Sequence, residues 1–240
     1  MSVSSRRVRA IVRKELREYR RNRSLIWSMA IFPLIFTIQP LVVVFTLPAS
    51  ASSQLTHEHV LLYLLGIPAL VPVFIAAYAV VGERQQGTLE PVLTTPIPRE
   101  EFLLAKALAA LLPSLVVGYA VFALFLACVG LLAQPTIASA LIQLPDLFAQ
   151  VLFTPLLTVW SIWVGIAISA RSSDIRVAQQ LGVLASLPSV LLVVVIALNV
   201  IPPTPALAIG SAALLVVLDV QGWRLASRLF DREKLITGSG

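Results

Sequence analysis

Few residues in this sequence are equipped for chemistry. Its only histidines, His57 and His59, flank Glu58. Imidazoles ligate metals, but two isolated histidines beside one acid read as a solvated loop, with a metal site as the alternative. No G-x-x-x-x-G-K-[ST] segment occurs, so no loop of this chain is built to cradle ATP phosphates. No nucleophile elbow and no intramembrane His–Ser or Asp pair is present, which argues against a membrane hydrolase. Cys128 is the single cysteine, so an internal disulfide is impossible.

The elements around these residues explain the scarcity. Of 240 residues, 58% are hydrophobic and 12% charged. A soluble domain carries roughly 45–50% apolar and about 25% charged residues. So little charge cannot cover the surface of a soluble domain of this size. An ordinary soluble enzyme, a disordered chain and a disulfide scaffold are excluded, leaving an all-α integral membrane protein. Crossing the hydrocarbon core takes about 20 apolar residues in a helix. Six stretches qualify: Leu25–Leu47, Val60–Val81, Ala107–Leu132, Leu147–Ile168, Leu181–Ile201 and Ala206–Val220. None holds Lys, Arg or Glu, and their only acid is Asp219. The sixth is short, with Pro202, Pro203 and Pro205 breaking the helix before it. Proton pumps and secondary transporters place ionisable groups inside the membrane. These spans have none near their centres, so the energy for any transport comes from outside the chain.

Charge orients the spans. Nine of the 18 cations lie in the first 23 residues, from Arg6 to Arg23. Segments 48–59, 133–146 and 202–205 have none. The others fall in the loop 82–106 (Arg84, Arg99, Lys106), the loop 169–180 (Arg171, Arg176) and the tail beyond residue 220. Every cation therefore sorts to one face, which the positive-inside rule makes cytoplasmic, with both termini. This excess of positive charge is accounted for by the membrane rather than by nucleic acid. Three regions follow: a cytoplasmic entry helix over 1–23, a six-span domain over 24–220, and a basic tail over 221–240. In the first, Val8, Ile11, Val12, Leu16 and Tyr19 form one helix face opposite Arg, Lys and Glu. Such a helix is expected to lie in the interface, its cations against anionic headgroups.

The loop GERQQGTLEPVLTTPIPREEFLLAK, residues 82–106, is amphipathic rather than simply polar. Thr88–Leu93 reads as a short helix, with Pro91 tolerated in its first turn. Leu89, Val92 and Leu93 form an apolar stripe that has only span ends or a partner protein to bury against. Around it stand Glu83, Arg84, Gly87, Thr88, Glu90, Pro96 and Lys106. An acid and a base, then G-T-x-E, a leucine, a proline and a lysine opening the third span resemble the membrane subunit of ABC type-2 exporters. Ala105 replaces the usual Gly before that lysine, and Pro91 shifts the second leucine.

The resemblance implies a permease powered by a separate ABC ATPase. Residues 83–99 would then be the coupling helix seated in a groove of that ATPase. Arg171, Asp174 and Arg176 would make a smaller contact. ATP and magnesium would reside on two ATPase copies, with no cofactor, metal or catalytic residue on this chain. A second permease subunit, identical or homologous, would complete the path. An apolar or amphipathic substrate suits uncharged spans. The alternative is a non-transporting membrane scaffold docking another partner on the same loop.

Within the spans, Ser161, Gly165 and Ser169 make a small-xxx-small face for close helix approach, either internal or at a dimer seam. Pro33, Pro40, Pro68, Pro72, Pro113, Pro155 and Pro188 suggest kinks. Trp160, Trp163, Phe122 and Phe125 are expected to face lipid, with a substrate path as the alternative.

Overall fold

The computed structural model describes residues 4–46, 48, 57–85 and 98–229. Among them the chain is all helical. Helix α1 spans Ser5–Arg21 and α2 Arg23–Thr46. A 3-10 segment, Val60–Leu65, leads into α3, Gly66–Gln85. Then come α4 (Arg99–Leu132), the short α5 (Pro135–Leu141), α6 (Leu144–Arg171), α7 (Ile175–Ala197) and α8 (Pro205–Leu229). Six of these segments are long and apolar enough to cross a membrane.

The expected spans hold, with longer ends. Helix α4 begins at Arg99 rather than Ala107, because Glu100 and Glu101 favour the positive end of a helix dipole. Helix α7 begins at Ile175, where the Asp174 carboxylate accepts from the backbone N–H of Arg176 at 2.7 Å. Helix α8 runs to Leu229, so the sixth span is not short. The prolines do not end their helices. Pro33, Pro40, Pro72, Pro113, Pro155 and Pro188 all lie inside continuous helices. Pro68 sits in the first turn of α3, where its missing N–H has no intrahelical partner to lose.

Helix α3 is the hub. The span it dominates is 94% buried, whereas α8 is only 6% buried. A helix apolar all round belongs in the interior, and the small side chains of α3 let its neighbours approach closely. The Ser161–Gly165–Ser169 face of α6 lies against it. Ser161 Oγ donates to the Ala69 carbonyl at 2.6 Å, and Ser169 Oγ to that of Ala77 at 2.7 Å. The Val81 N–H donates back to Ser169 Oγ at 3.1 Å. A Cβ at Gly165 would sit 2.6 Å from that of Ala76 and 3.2 Å from the Val73 carbonyl oxygen. The small-residue face is therefore an internal seam, and the dimer-seam option is resolved against.

The aromatic expectation is corrected in three of four cases. Phe122 and Phe125 are core residues of the end opposite the cations, packed with Val60, Leu64 and Ile137. Helix α5 plugs that end by inserting Ile137, Ala140 and Leu141. Trp163 stacks edge-on against Trp223 with ring centres 5.3 Å apart, fastening α8 to α6. Only Trp160 lines a space open to the outside. The remaining outer surface is apolar. Trp27, Leu34, Leu124, Leu191 and Val217 are all more than half exposed, as lipid contact requires.

Candidate functional site

Helix α1 crosses the end of the bundle where the cations collect. Its apolar face packs on protein: Tyr19 joins Phe102, Leu103, Ala107 and Ile166 in one core cluster, with Ile11, Val12 and Leu16 against it. Arg6, Arg9, Arg13, Arg17, Arg20 and Arg21 stay exposed on the other side. The corner into α2 is made by Asn22, whose side-chain oxygen accepts from the Leu25 N–H at 3.2 Å.

The same helix holds both feet of the loop that joins α3 to α4. At the first foot, Glu83 closes α3 and is 4% exposed. It meets Lys14 of α1 at 2.8 Å and Lys106 of α4 at 2.9 Å. Lys106, 1% exposed, also reaches Glu15 of α1 at 3.0 Å. Its ammonium lies 5.2 Å from the centre of the Phe102 ring. At the second foot, Glu101 of α4 takes a two-pronged grip from Arg7 of α1, at 2.7 and 2.8 Å. The backbone N–H of Ser4 donates to the same carboxylate at 2.9 Å.

The charges balance. Two lysines face Glu15 and Glu83, with Glu18 3.3 Å from Lys14 at the rim. Charges this buried persist only when paired and hydrogen-bonded, and removing one partner leaves the other stranded. Burial works against the Lys14 charge. The hydrogen bond to Glu83 and the charges of Glu83, Glu15 and Glu18 outweigh it and raise its pKa above the ordinary lysine value. On exposed Arg7 the hydrogen bond to Glu101 also raises the pKa. Burial, with Glu15 and Glu83 nearby, lifts the Tyr19 hydroxyl well above its usual value, so the phenol stays neutral.

The second loop adjoins the first. The Gln85 amide donates to the Ser173 carbonyl at 3.3 Å. Arg171 and Arg176 are exposed, while Asp174 is occupied as the cap of α7. Asn22, Tyr78, Gln85, Asp174, Arg176 and Gln179, with Leu25 and Ile175, line a recess of about 250 Å³ between these elements.

Of the loop residues singled out from sequence, Glu83 is described in full, and it faces into the bundle. The side chain of Arg84, and Gly87, Thr88, Leu89, Glu90, Val92, Leu93 and Pro96, lie outside the described residues, as does the short helix expected there. Lys106, the lysine that opens the third span, is inside the bundle because two carboxylates draw it there. The sequence reading passed over Glu15, Glu101 and Arg7. Glu15 carries a signal, since it is an acid on the apolar stripe of α1.

At the opposite end, His59 is not merely solvated. Its Nδ1 lies 2.7 Å from Asp146 Oδ1, and Asp146 is 2% exposed. The His59 N–H donates to the Ala197 carbonyl at 2.9 Å, so this residue ties the start of the second span to α6 and α7. Among the described residues no cluster of three or more His, Cys, Asp or Glu could hold a metal.

A model of the ABC-2 family transporter proteins matches residues 9–212. The chain belongs to this family. It is a multi-pass membrane protein of the ABC-2 transporter type. The match runs from within α1 into the first turns of α8 and takes in Glu83, Glu101 and the first five spans. A search of curated proteins gives no match to the chain.

Proposed function

We propose that this ABC-2 family protein is the permease subunit of an ATP-driven exporter. Residues 83–99 dock an ABC ATPase at the cytoplasmic face, with Arg171 and Arg176 at the margin of the contact. Two permeases, identical or homologous, and two ATPases form the working assembly. ATP and magnesium are held by the ATPases. The cationic end is cytoplasmic, with both termini, by the positive-inside rule. The substrate is apolar or amphipathic.

The observation that carries this reading is the clamp on the loop. An ATPase can move spans only through a rigid connection. Glu83 and Glu101 flank residues 86–97, and both are held by α1. A push on the loop therefore reaches α1, α3 and α4 together, and through the Ser161–Ser169 seam it reaches α6. This rigid-body transmission biases a two-state arrangement of spans.

Leu93→Asp tests the reading. A buried leucine contributes about 1.5–3 kcal/mol, and burying an unpaired charge costs more. The variant is expected to insert normally while losing ATPase co-purification or transport. Unchanged transport and unchanged ATPase retention would remove the coupling assignment and leave the scaffold alternative.

A further inference from the structure

Helix α8 packs along α6 and makes little contact with α7, which packs on α3 and α6 instead. The result is a wedge between α7 and α8 with α6 as its floor. The space within it is about 370 Å³, within the size range of ligand pockets. Its walls come from 149–160 of α6, 185–196 of α7, 203–218 across the start of α8, and Leu62 and Leu65 of the 3-10 segment. Since α6 and α8 start, and α7 ends, at the end opposite the cations, the wedge occupies the membrane half on that side. Pro188 of α7 lies in its wall, and a proline inside a helix bends it.

The chemistry of the wall selects the occupant. No charged residue lines it. Its three hydroxyls are already engaged by their own helices. Ser189 Oγ donates to the Ser186 carbonyl at 2.7 Å, and Ser211 Oγ to the Leu207 carbonyl at 2.7 Å. Thr204 Oγ1 accepts from the Leu207 N–H at 3.1 Å. The remaining polar groups of the wall, the Thr204 O–H and the Trp160 indole N–H, are too few to replace the water around a sugar, a nucleotide or an ion. Water finds no set of partners there either. An unfilled apolar space forfeits packing contacts in proportion to its volume, and this one is partly open to the outside of the bundle.

We propose that this wedge is a binding site for a single acyl chain of a membrane phospholipid in the leaflet opposite the cationic end. The site differs from the general lipid-facing surface because it holds the chain on three sides. The proposal rests on the chain being embedded in a membrane and not on export or on an ATPase, so it stands or falls separately from the transport reading.

The test uses the full chain in phosphatidylcholine vesicles. About 1% of the lipid carries a photoactivatable diazirine on its acyl chain. After irradiation, label is mapped to peptides by mass spectrometry. Leu192 and Leu207 in the wedge are expected to carry at least about five times the label of Trp27, Ile31 and Leu34 on the open face of α2. Ala208→Trp fills the wedge and should bring its label down to the α2 level. Ala185→Leu fills it from the opposite wall and should act in the same direction, which guards against a folding failure in one variant. Equal labelling of wedge and α2 would overturn the proposal, as would wedge labelling that survives both substitutions. Disulfide cross-linking of two chains through Leu214→Cys would also overturn it, by showing a second copy in the wedge.

Discussion

Lys106 is the residue whose removal should do most damage for its size. It has two carboxylates at 3.0 and 2.9 Å and is 1% exposed. Lys106→Met keeps the chain length and removes the charge. Of the two lysines, Glu15 and Glu83 then keep Lys14, which is 43% exposed. Stranding a buried charge costs about 3–5 kcal/mol, and each 1.4 kcal/mol is about tenfold in an equilibrium constant. The cost falls on the docking of α1, so α1 should open locally about a hundredfold to a few thousandfold more often. A cysteine at Val8, buried under α1, reports that opening through its labelling rate, with Cys128 replaced beforehand. Adding Glu15→Gln to Lys106→Met removes one stranded acid and should recover part of the loss. Groups in one ion-pair network show interaction energies of about 0.5–3 kcal/mol. If the two single changes simply add, within about 0.5 kcal/mol, then Glu15 and Lys106 are not paired and the clamp is wrong.

Gly165→Leu should prevent α6 from seating on α3, since even a Cβ there meets Ala76 at 2.6 Å. Overpacking costs about 1–3 kcal/mol, occasionally more, and the yield of folded protein in detergent should fall, with Gly165→Ala in between. Asp146→Ala should lower the thermal midpoint, because it leaves His59 without its 2.7 Å partner, at a cost of about 1–3 kcal/mol. The raised pKa of Lys14 fixes the sign of a pH effect. Its contribution is fully present below the unfolded value of 10.5 and is lost only as pH rises through the higher folded value. Protection of α1 amides, corrected for intrinsic exchange, should therefore stay level from pH 7 to pH 9.5; a fall within that window contradicts the pairing. Cysteines at Ser52 and Gln134 should react with an impermeant thiol reagent from outside intact cells, and those at Gln86 and Ser172 should not. Outside labelling at Ser172 would mean that the fourth or fifth span is miscounted.

The spans were legible because apolar length and cation placement are local properties of the sequence. Their exact ends were not, since Arg99–Glu101 and Asp174 extend helices through capping and dipole effects that a hydropathy reading ignores. The Ser161–Gly165–Ser169 stripe was visible as a packing face. Which helix it meets depends on the bundle, so the choice between seam and dimer needed α3 in place. Glu83 and Lys106 stood out only as parts of a family pattern. Their pairing joins residues far apart in the chain, and Glu15 completes it from a third element. A lone lysine in Leu103-Leu104-Ala105-Lys106-Ala107-Leu108 and an acid on the apolar face of α1 were the available signals, each pointing to a buried partner without naming it. His59 and Asp146 offered no local signal, because 87 positions separate them.

In the proposed exporter, the loop clamped by α1 is where the ATPase delivers its work. A photo-crosslinking amino acid at Val92, with the same group at Gln134 as the control on the opposite end, tests it in native membranes. Val92 is expected to capture an ATPase bearing a phosphate-binding loop, identified by mass spectrometry, and Gln134 to capture none. A product at Val92 with a protein lacking that loop, or the ATPase recovered equally from Gln134, would contradict it.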